Sequence, residues 1–272
     1  MSAVFALLAS LTYGAADFLG GMVGKRMQTL QLVFWSQLSG LVFTGVASLL
    51  FPATAVSLRD LIWGAVATSA GVVGIFALYE GLARGRMAVV SPLAGLLSAL
   101  IPFGLGLGLG ERLRPLELVG VALALPAIWI VSASSGAERG TAGAGMGILA
   151  GIGFGLFFAA LSQAGDGAGY WPLVSGRAIS FVVLGVIVAR NLPMPPKGSR
   201  LAILLLGIGD ALANVFLLVA YRSGLLSLVS VLASLYPAVT VLLAVQVLKE
   251  PLARRQLFGL VLTLVAVALI AV

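Results

Sequence analysis

The chain alternates long apolar runs with short polar breaks from end to end. A membrane-crossing helix needs about 20 mostly apolar residues at a rise of about 1.5 Å each. Runs of that kind fall near residues 2–23, 30–51, 61–83, 87–109, 115–134, 143–163, 172–190, 200–222, 226–248 and 253–272. The breaks hold turn formers and charges: Lys25-Arg26, Arg84-Gly85-Arg86, Glu138-Arg139-Gly140 and the stretch from Pro193 to Gly198. This pattern predicts an all-α, polytopic membrane helical bundle of about ten transmembrane helices. Met1–Leu11 has no basic stretch ahead of its apolar residues, so the first run is expected to stay as a span rather than be cleaved.

The two halves resemble each other. A shift of 139 residues lays Ser91–Ala133 on Ser230–Val272 without a gap, and matches Ser91 with Ser230, Glu111 with Glu250, Leu113 with Leu252 and Gly120 with Gly259. Leucine on leucine is cheap in so apolar a chain, whereas an acid and a glycine at matched positions are not. The expected units are five-helix repeats over 1–136 and 140–272. Five is odd, so the second repeat enters the membrane from the opposite side and the repeats are inverted. Inverted repeats suit carriers, whose related halves exchange conformations around a central site.

Composition narrows the chemistry. The chain is 61% hydrophobic and 9% charged, with a mean hydropathy of +1.16. A water-facing surface needs far more charge than this. There is no cysteine and no histidine, which removes disulfides, thiolate sites and the commonest metal ligand, so no metal or other cofactor is expected. Proton chemistry falls to carboxylates. The net charge of +7 comes from basic residues lying singly or in pairs between apolar runs. They read as loop charges, and no nucleic acid is expected as a partner. Eleven of them (Lys25, Arg26, Arg84, Arg86, Arg139, Arg190, Lys197, Arg200, Lys249, Arg254 and Arg255) follow odd-numbered spans, and four (Arg59, Arg112, Arg114 and Arg222) follow even-numbered ones. Basic loops stay cytoplasmic, so the bias puts both termini outside.

Several motifs together resemble the drug/metabolite transporter superfamily, in particular its ten-span EamA-type members. They are Tyr13-Gly14, the stretch Ala83–Leu96, and the hinges Gly110–Gly120 ("GERLRPLELVG") and Lys249–Gly259 ("KEPLARRQLFG"), similar to the family's G-E-x-L hinge before spans five and ten. Lys249 departs from the usual glycine. The resemblance covers nearly the whole chain. It implies a multi-pass protein of the cell membrane (the inner membrane in a prokaryote), with a cavity between two sets of four helices and spans five and ten outside them. The leading reading is a secondary transporter exporting small metabolites such as amino acids, a monomer with membrane lipid and a small-molecule substrate as partners; either Asp210 or Asp17 binds a proton as a further partner, or the protein is an uncoupled facilitator running down the substrate gradient. The resemblance also implies cytoplasmic termini, against the charge bias. A membrane enzyme or a channel is the alternative. The enzyme would need a convergent set of nucleophile, base or metal ligands, and the channel a ring of like residues from an oligomer.

Polar residues deep in a span are costly and usually face a cavity or a partner. Asp210 lies near the middle of the eighth span with Asn214 one turn on, and Arg177 lies in the seventh. Counted from the loop between them, the two charges differ in depth by only about 5 Å, so a buried pair is within reach. That pair reads equally as a structural tie or as part of a substrate or proton site. Asp17 stands one turn after Tyr13, near enough to its span's end to reach headgroups. Glu80 with Arg84 reads as an interfacial i,i+4 pair or as a cavity wall. Gln37 and Gln163 are weaker candidates that also suit interhelical bonding. Tyr13, Trp35, Tyr79 and Tyr236 are cavity-wall candidates, and Trp171 is an interface anchor. Pro237 after Tyr236, and Ser91-Pro92 with Pro102, predict an interrupted helix at the centre of each half. Gly143, Gly147, Gly151 and Gly155 predict a smooth face for close helix packing.

Overall fold

The structure is a computed structural model. It describes residues 1–24, 26–84, 87–132, 143–189, 194–249 and 253–271, with side chains for all of these but 82–84, 87–89, 91, 92, 132 and 271. Helices α1 (Ser2–Gly24), α2 (Thr29–Leu50), α3 (Leu58–Arg84), α4 (Met87–Gly108) and α5 (Pro115–Ser132) form the first half. Helices α6 (Ala144–Leu161), α7 (Trp171–Val188), α8 (Arg200–Tyr221), α9 (Leu226–Ala233), α10 (Tyr236–Val247) and α11 (Arg254–Ala271) form the second. There is no strand among the described residues. Among the described residues, seven segments are long and apolar enough to cross a bilayer by length and composition: α1, α2, Leu58–Gly81, α6, α7, Lys197–Tyr221 and Leu226–Val247. Leu93–Gly108 and Pro115–Val131 are shorter apolar helices.

The ninth apolar run is two helices, parted at Ser234 and Leu235. Pro237 has no N–H to give, and the break places it in the first turn of α10, where an N–H has no intrahelical acceptor anyway. The fourth run differs from expectation. Helix α4 continues past Pro92 and Pro102 without a break, so only the second half carries an interrupted helix. A proline removes one ladder bond and bends a helix, and packing on both sides is enough to carry it through. The matched Glu250, and the break around Glu138, lie outside the described residues.

The halves pack as a pseudo-twofold pair. Helix α1 packs on α8 as α6 packs on α3, and α7 packs on α3 as α2 packs on α8. Helices α2 and α7, α4 and α9, and α5 and α11 meet their own counterparts. The last pair shows the inversion directly. A Cβ built on Gly120 would lie 2.7 Å from Ile270 Cγ1, and one built on Gly259 would lie 2.7 Å from Val131 Cγ2. The start of each helix therefore meets the end of the other. Both contacts are the same contact under the 139-residue shift, so antiparallel α5 and α11 face each other across the axis. Three hydrogen bonds fix α4 and α9 in the same sense. Ser98 Oγ in mid-α4 meets Ser234 Oγ at 3.1 Å, and Glu111, just past α4, reaches the start of α9.

The core is two layers. One holds Ala6 and Ala9 of α1, Ala67 of α3, Phe157 to Leu161 of α6, Leu173 of α7 and Leu217 of α8. The other holds Ala16 and Val23, Ala77 to Tyr79, Ala150, Leu184, and Ile203 with Leu206 from the same five helices. Each helix thus contributes near both of its ends, leaving a gap at mid-height. The outside is apolar: Val182, Val186 and Ile187 of α7 and Leu257, Phe258 and Leu264 of α11 are all exposed. Among the glycines of the sixth run, Gly147, Gly151 and Gly155 pack against Val90, Leu97 and Ile101 of α4. Gly143 instead caps the helix with φ of 89°.

Candidate functional site

The mid-height gap is where the polar residues converge. On α1, Tyr13 lies between the two core layers. On α7 it is Arg177, and on α8 it is Asp210 with Asn214 one turn on. These side chains, with Asp17, Gln37, Thr68, Tyr236 and three phenylalanines of α6, line one cavity of about 50 Å³. At roughly 10–15 Å³ of such volume per water, this conformation has room for a few waters and falls well short of the roughly 150 Å³ that admits a benzene-sized solute. Loading a solute requires the walls to part.

One wall is a hydrogen-bonded chain. Arg177, with a side chain 2% exposed, donates from Nη2 to Asp210 Oδ2 at 2.6 Å. Its Nη1 donates to Gln37 Oε1 at 2.7 Å. Asn214 Nδ2 sits 3.5 Å from the same carboxylate oxygen, and the Tyr13 hydroxyl donates to Asn214 Oδ1. The chain joins α1, α2, α7 and α8, and so both repeats. Gly40 makes the room for it: a Cβ there would lie 2.8 Å from Arg177 Cζ. The guanidinium is nearly saturated, with Nε alone left without a partner among the described residues. This geometry is that of a structural tie whose acid end, Asp210, still reaches the cavity at 22% exposure.

Asp17 is placed differently. It lines the cavity instead of reaching for headgroups, and no hydrogen bond or ion pair holds it among the described residues. The cavity wall therefore carries two carboxyl groups against one guanidinium, and the guanidinium is engaged by Asp210. An unpartnered carboxylate at membrane depth costs several kcal/mol, a cost relieved by a bound cation. Tyr13, at the end of the polar chain, also joins an aromatic part of the lining. Tyr13 lies 6.3 Å from Phe158 and 6.4 Å from Tyr236, ring centre to ring centre, in tilted and edge-on arrangements. Aromatic faces favour cations and apolar bodies.

Of the residues singled out from the sequence, Tyr13, Asp17, Gln37, Arg177, Asp210, Asn214 and Tyr236 meet at this cavity. Tyr79 does not, since its hydroxyl lies against Gly20 of α1. Glu80 is not among the lining residues. The side chains of Ser91, Pro92 and Arg84 lie outside the described residues. Gln163 follows α6 and donates to Ser162 Oγ at 3.3 Å, away from the cavity. The sequence did not point to Phe154, Phe157 and Phe158, which form the aromatic wall, or to Thr68 of α3. Its one signal was three phenylalanines crowded beside a glycine-rich face.

A second feature was not legible. The carboxylate of Glu111, in the hinge before α5, accepts the N–H groups of Leu226 at 2.6 Å and Ser227 at 3.0 Å. A hinge acid of one repeat thus caps the half-helix α9 of the other, where N–H groups lack intrahelical partners.

Comparison with known proteins agrees with this architecture. A solved structure described only as "Crystal structure of protein" is 18% identical, with 100% of this chain and 98% of that chain covered and a TM-score of 0.78. At that identity the likeness speaks for the fold. No curated protein matches the chain. The family model for EamA-like transporters matches twice, over residues 1–133 and 141–272, once for each half of the pseudo-twofold bundle. The chain therefore belongs to the EamA-like transporter family, a family of multi-pass membrane transporters.

Proposed function

We propose that this protein is a secondary transporter that exports small organic metabolites, amino acids and related amines first among them, by alternating access around the mid-height cavity. In this reading all ten helical rods cross the membrane, α9 and α10 together counting as one. The protein works as a monomer in the cell membrane, and in a prokaryote this is the inner membrane. The observation that carries the reading is the imbalance of the cavity wall, two carboxyl groups against one guanidinium that is already engaged. Such a wall suits a solute bearing an ammonium group, or a proton taking its place between transport steps. Asp17 is the residue assigned to that charge, and the aromatic wall is assigned to the solute's apolar body. Access alternates when the two packed layers hinge apart, one on each side of the membrane in turn.

The test uses proteoliposomes. Labelled amino acids and primary amines are offered to vesicles preloaded with the same unlabelled solutes, and trans-stimulated exchange is measured. The expected result is saturable counterflow that Asp17→Asn reduces at least tenfold, with folded yield unchanged. An Asp17→Asn protein that exchanges at the full rate would remove Asp17 from the mechanism. Flux that neither saturates nor shows counterflow would favour a channel. Repeating the assay with an imposed pH gradient separates proton-coupled transport, which the gradient accelerates, from facilitation, which it leaves alone.

A further inference from the structure

A second concavity is larger than the central cavity. A groove of about 520 Å³ opens on the side of the bundle between α2 and α8. Trp35, Val42 and Val46 line it from α2 and Leu204 and Ile208 from α8, with Arg200 at the N-terminus of α8 completing it. Val42, Val46 and Leu204 are at least 46% exposed, so the groove opens outward toward lipid rather than toward the cavity.

Its polarity is graded along its length. The starts of α2 and α8 lie in the same core layer, with Leu32 to Phe34 beside Ile203 and Leu206. The two helices therefore run in the same direction from one membrane surface. Arg200 stands at that surface, and Lys197, one turn before it, is exposed there too. Arg200 Nε donates to the Pro195 carbonyl at 3.1 Å, which steadies the guanidinium. Neither Arg200 nor Lys197 has an ion-pair partner among the described residues. Below this basic mouth the groove is apolar from Trp35 to Val46, about 16 Å of helix, or roughly half the hydrocarbon thickness of a bilayer.

We propose that this groove is a binding site for one anionic phospholipid. The lipid's phosphate sits on Arg200 and Lys197, and one acyl chain lies along Val42, Val46 and Leu204. The length of the apolar section matches one leaflet, and the basic mouth selects a headgroup with net negative charge over a zwitterionic one. The site bridges the repeats, since α2 belongs to the first and α8 to the second. A bound chain there packs against helices that must move in any rocking of the halves.

The test is native mass spectrometry of the full chain released from nanodiscs of equimolar phosphatidylglycerol and phosphatidylcholine. The expected result is one retained phosphatidylglycerol per protein and little phosphatidylcholine. Arg200→Gln should lower that retention at least fivefold. Val42→Trp, which fills the groove from an exposed position, should abolish it, and Val46→Phe serves if Val42→Trp fails to fold. Lys249→Gln, a basic residue outside the groove, should leave it unchanged. Excess inorganic phosphate should not displace the adduct. Equal retention of both lipids, full retention in Arg200→Gln or in the filled groove, or displacement by phosphate alone would overturn the proposal.

Discussion

The buried pair of Arg177 and Asp210 allows a quantitative test of which acid supports the fold and which serves the cavity. The Arg177 side chain is 2% exposed, with its charge answered only by Asp210 at 2.6 Å and by the neutral Gln37. Replacing Asp210 by Asn keeps size and an acceptor but leaves a buried guanidinium without a counter-charge. Removing one partner of a buried pair costs about 3–5 kcal/mol. Because an Asn oxygen still accepts a hydrogen bond and Asp210 is 22% exposed, the lower end, about 3 kcal/mol, is expected here. Arg177→Met leaves Asp210 beside Asn214 and the buried Gln37 without its donor, for a similar loss of about 3 kcal/mol. The double variant removes both charges together. Its loss should be about 3–4 kcal/mol instead of the additive six, a coupling of about 2–3 kcal/mol. For a chain of this size each kcal/mol moves the melting temperature by about 2–4 °C, so each single variant should melt roughly 10 °C lower. The assay is thermal unfolding in detergent by intrinsic fluorescence, on all four proteins, with exchange activity measured alongside. Additive losses, or an Asp210→Asn protein that melts like the wild type, would refute the structural tie. A variant that melts normally but does not exchange would instead put Asp210 in the transport mechanism beside Asp17.

Glu111→Ala removes the acceptor of two helix-terminal N–H groups, and at about 1–2 kcal/mol for each unsatisfied donor it should cost roughly 2–4 kcal/mol. Hydrogen exchange should show the loss first as faster amide exchange over Leu226–Ala233, and an unchanged rate there would refute the cap. Orientation is decided by a fluorescent protein fused after Val272 that matures only in the cytoplasm. The excess of basic residues in the loops after odd-numbered spans predicts a dark fusion, and a bright one would place both termini inside.

The sequence by itself determined the order of the apolar runs and the all-helical class, because a bilayer accepts only spans of nearly fixed apolar length with their backbone bonds satisfied internally. It determined the repeat through Glu111 and Gly120 with their partners at 250 and 259, and the chance of a buried pair, since Arg177 and Asp210 count to nearly equal depth. The tertiary structure decided how each helix is turned about its own axis. In a water-soluble bundle the apolar stripe reveals that rotation, but here lipid and protein interior are equally apolar and the stripe vanishes. Tyr13 and Asp17 could therefore be read inward only once α1 was seen against α8, and Tyr79 and Glu80, likewise a tyrosine and an acid, turned out not to line the cavity. The same indifference hid the phenylalanine wall of α6. Packing also decided that Pro237 marks a break while Pro102 does not, since a proline removes one hydrogen bond in either place and the neighbours settle whether the helix continues. The grip of Glu111 on α9 belongs to the same class: it joins residues 115 positions apart, and only the antiparallel meeting of α4 and α9 brings them together.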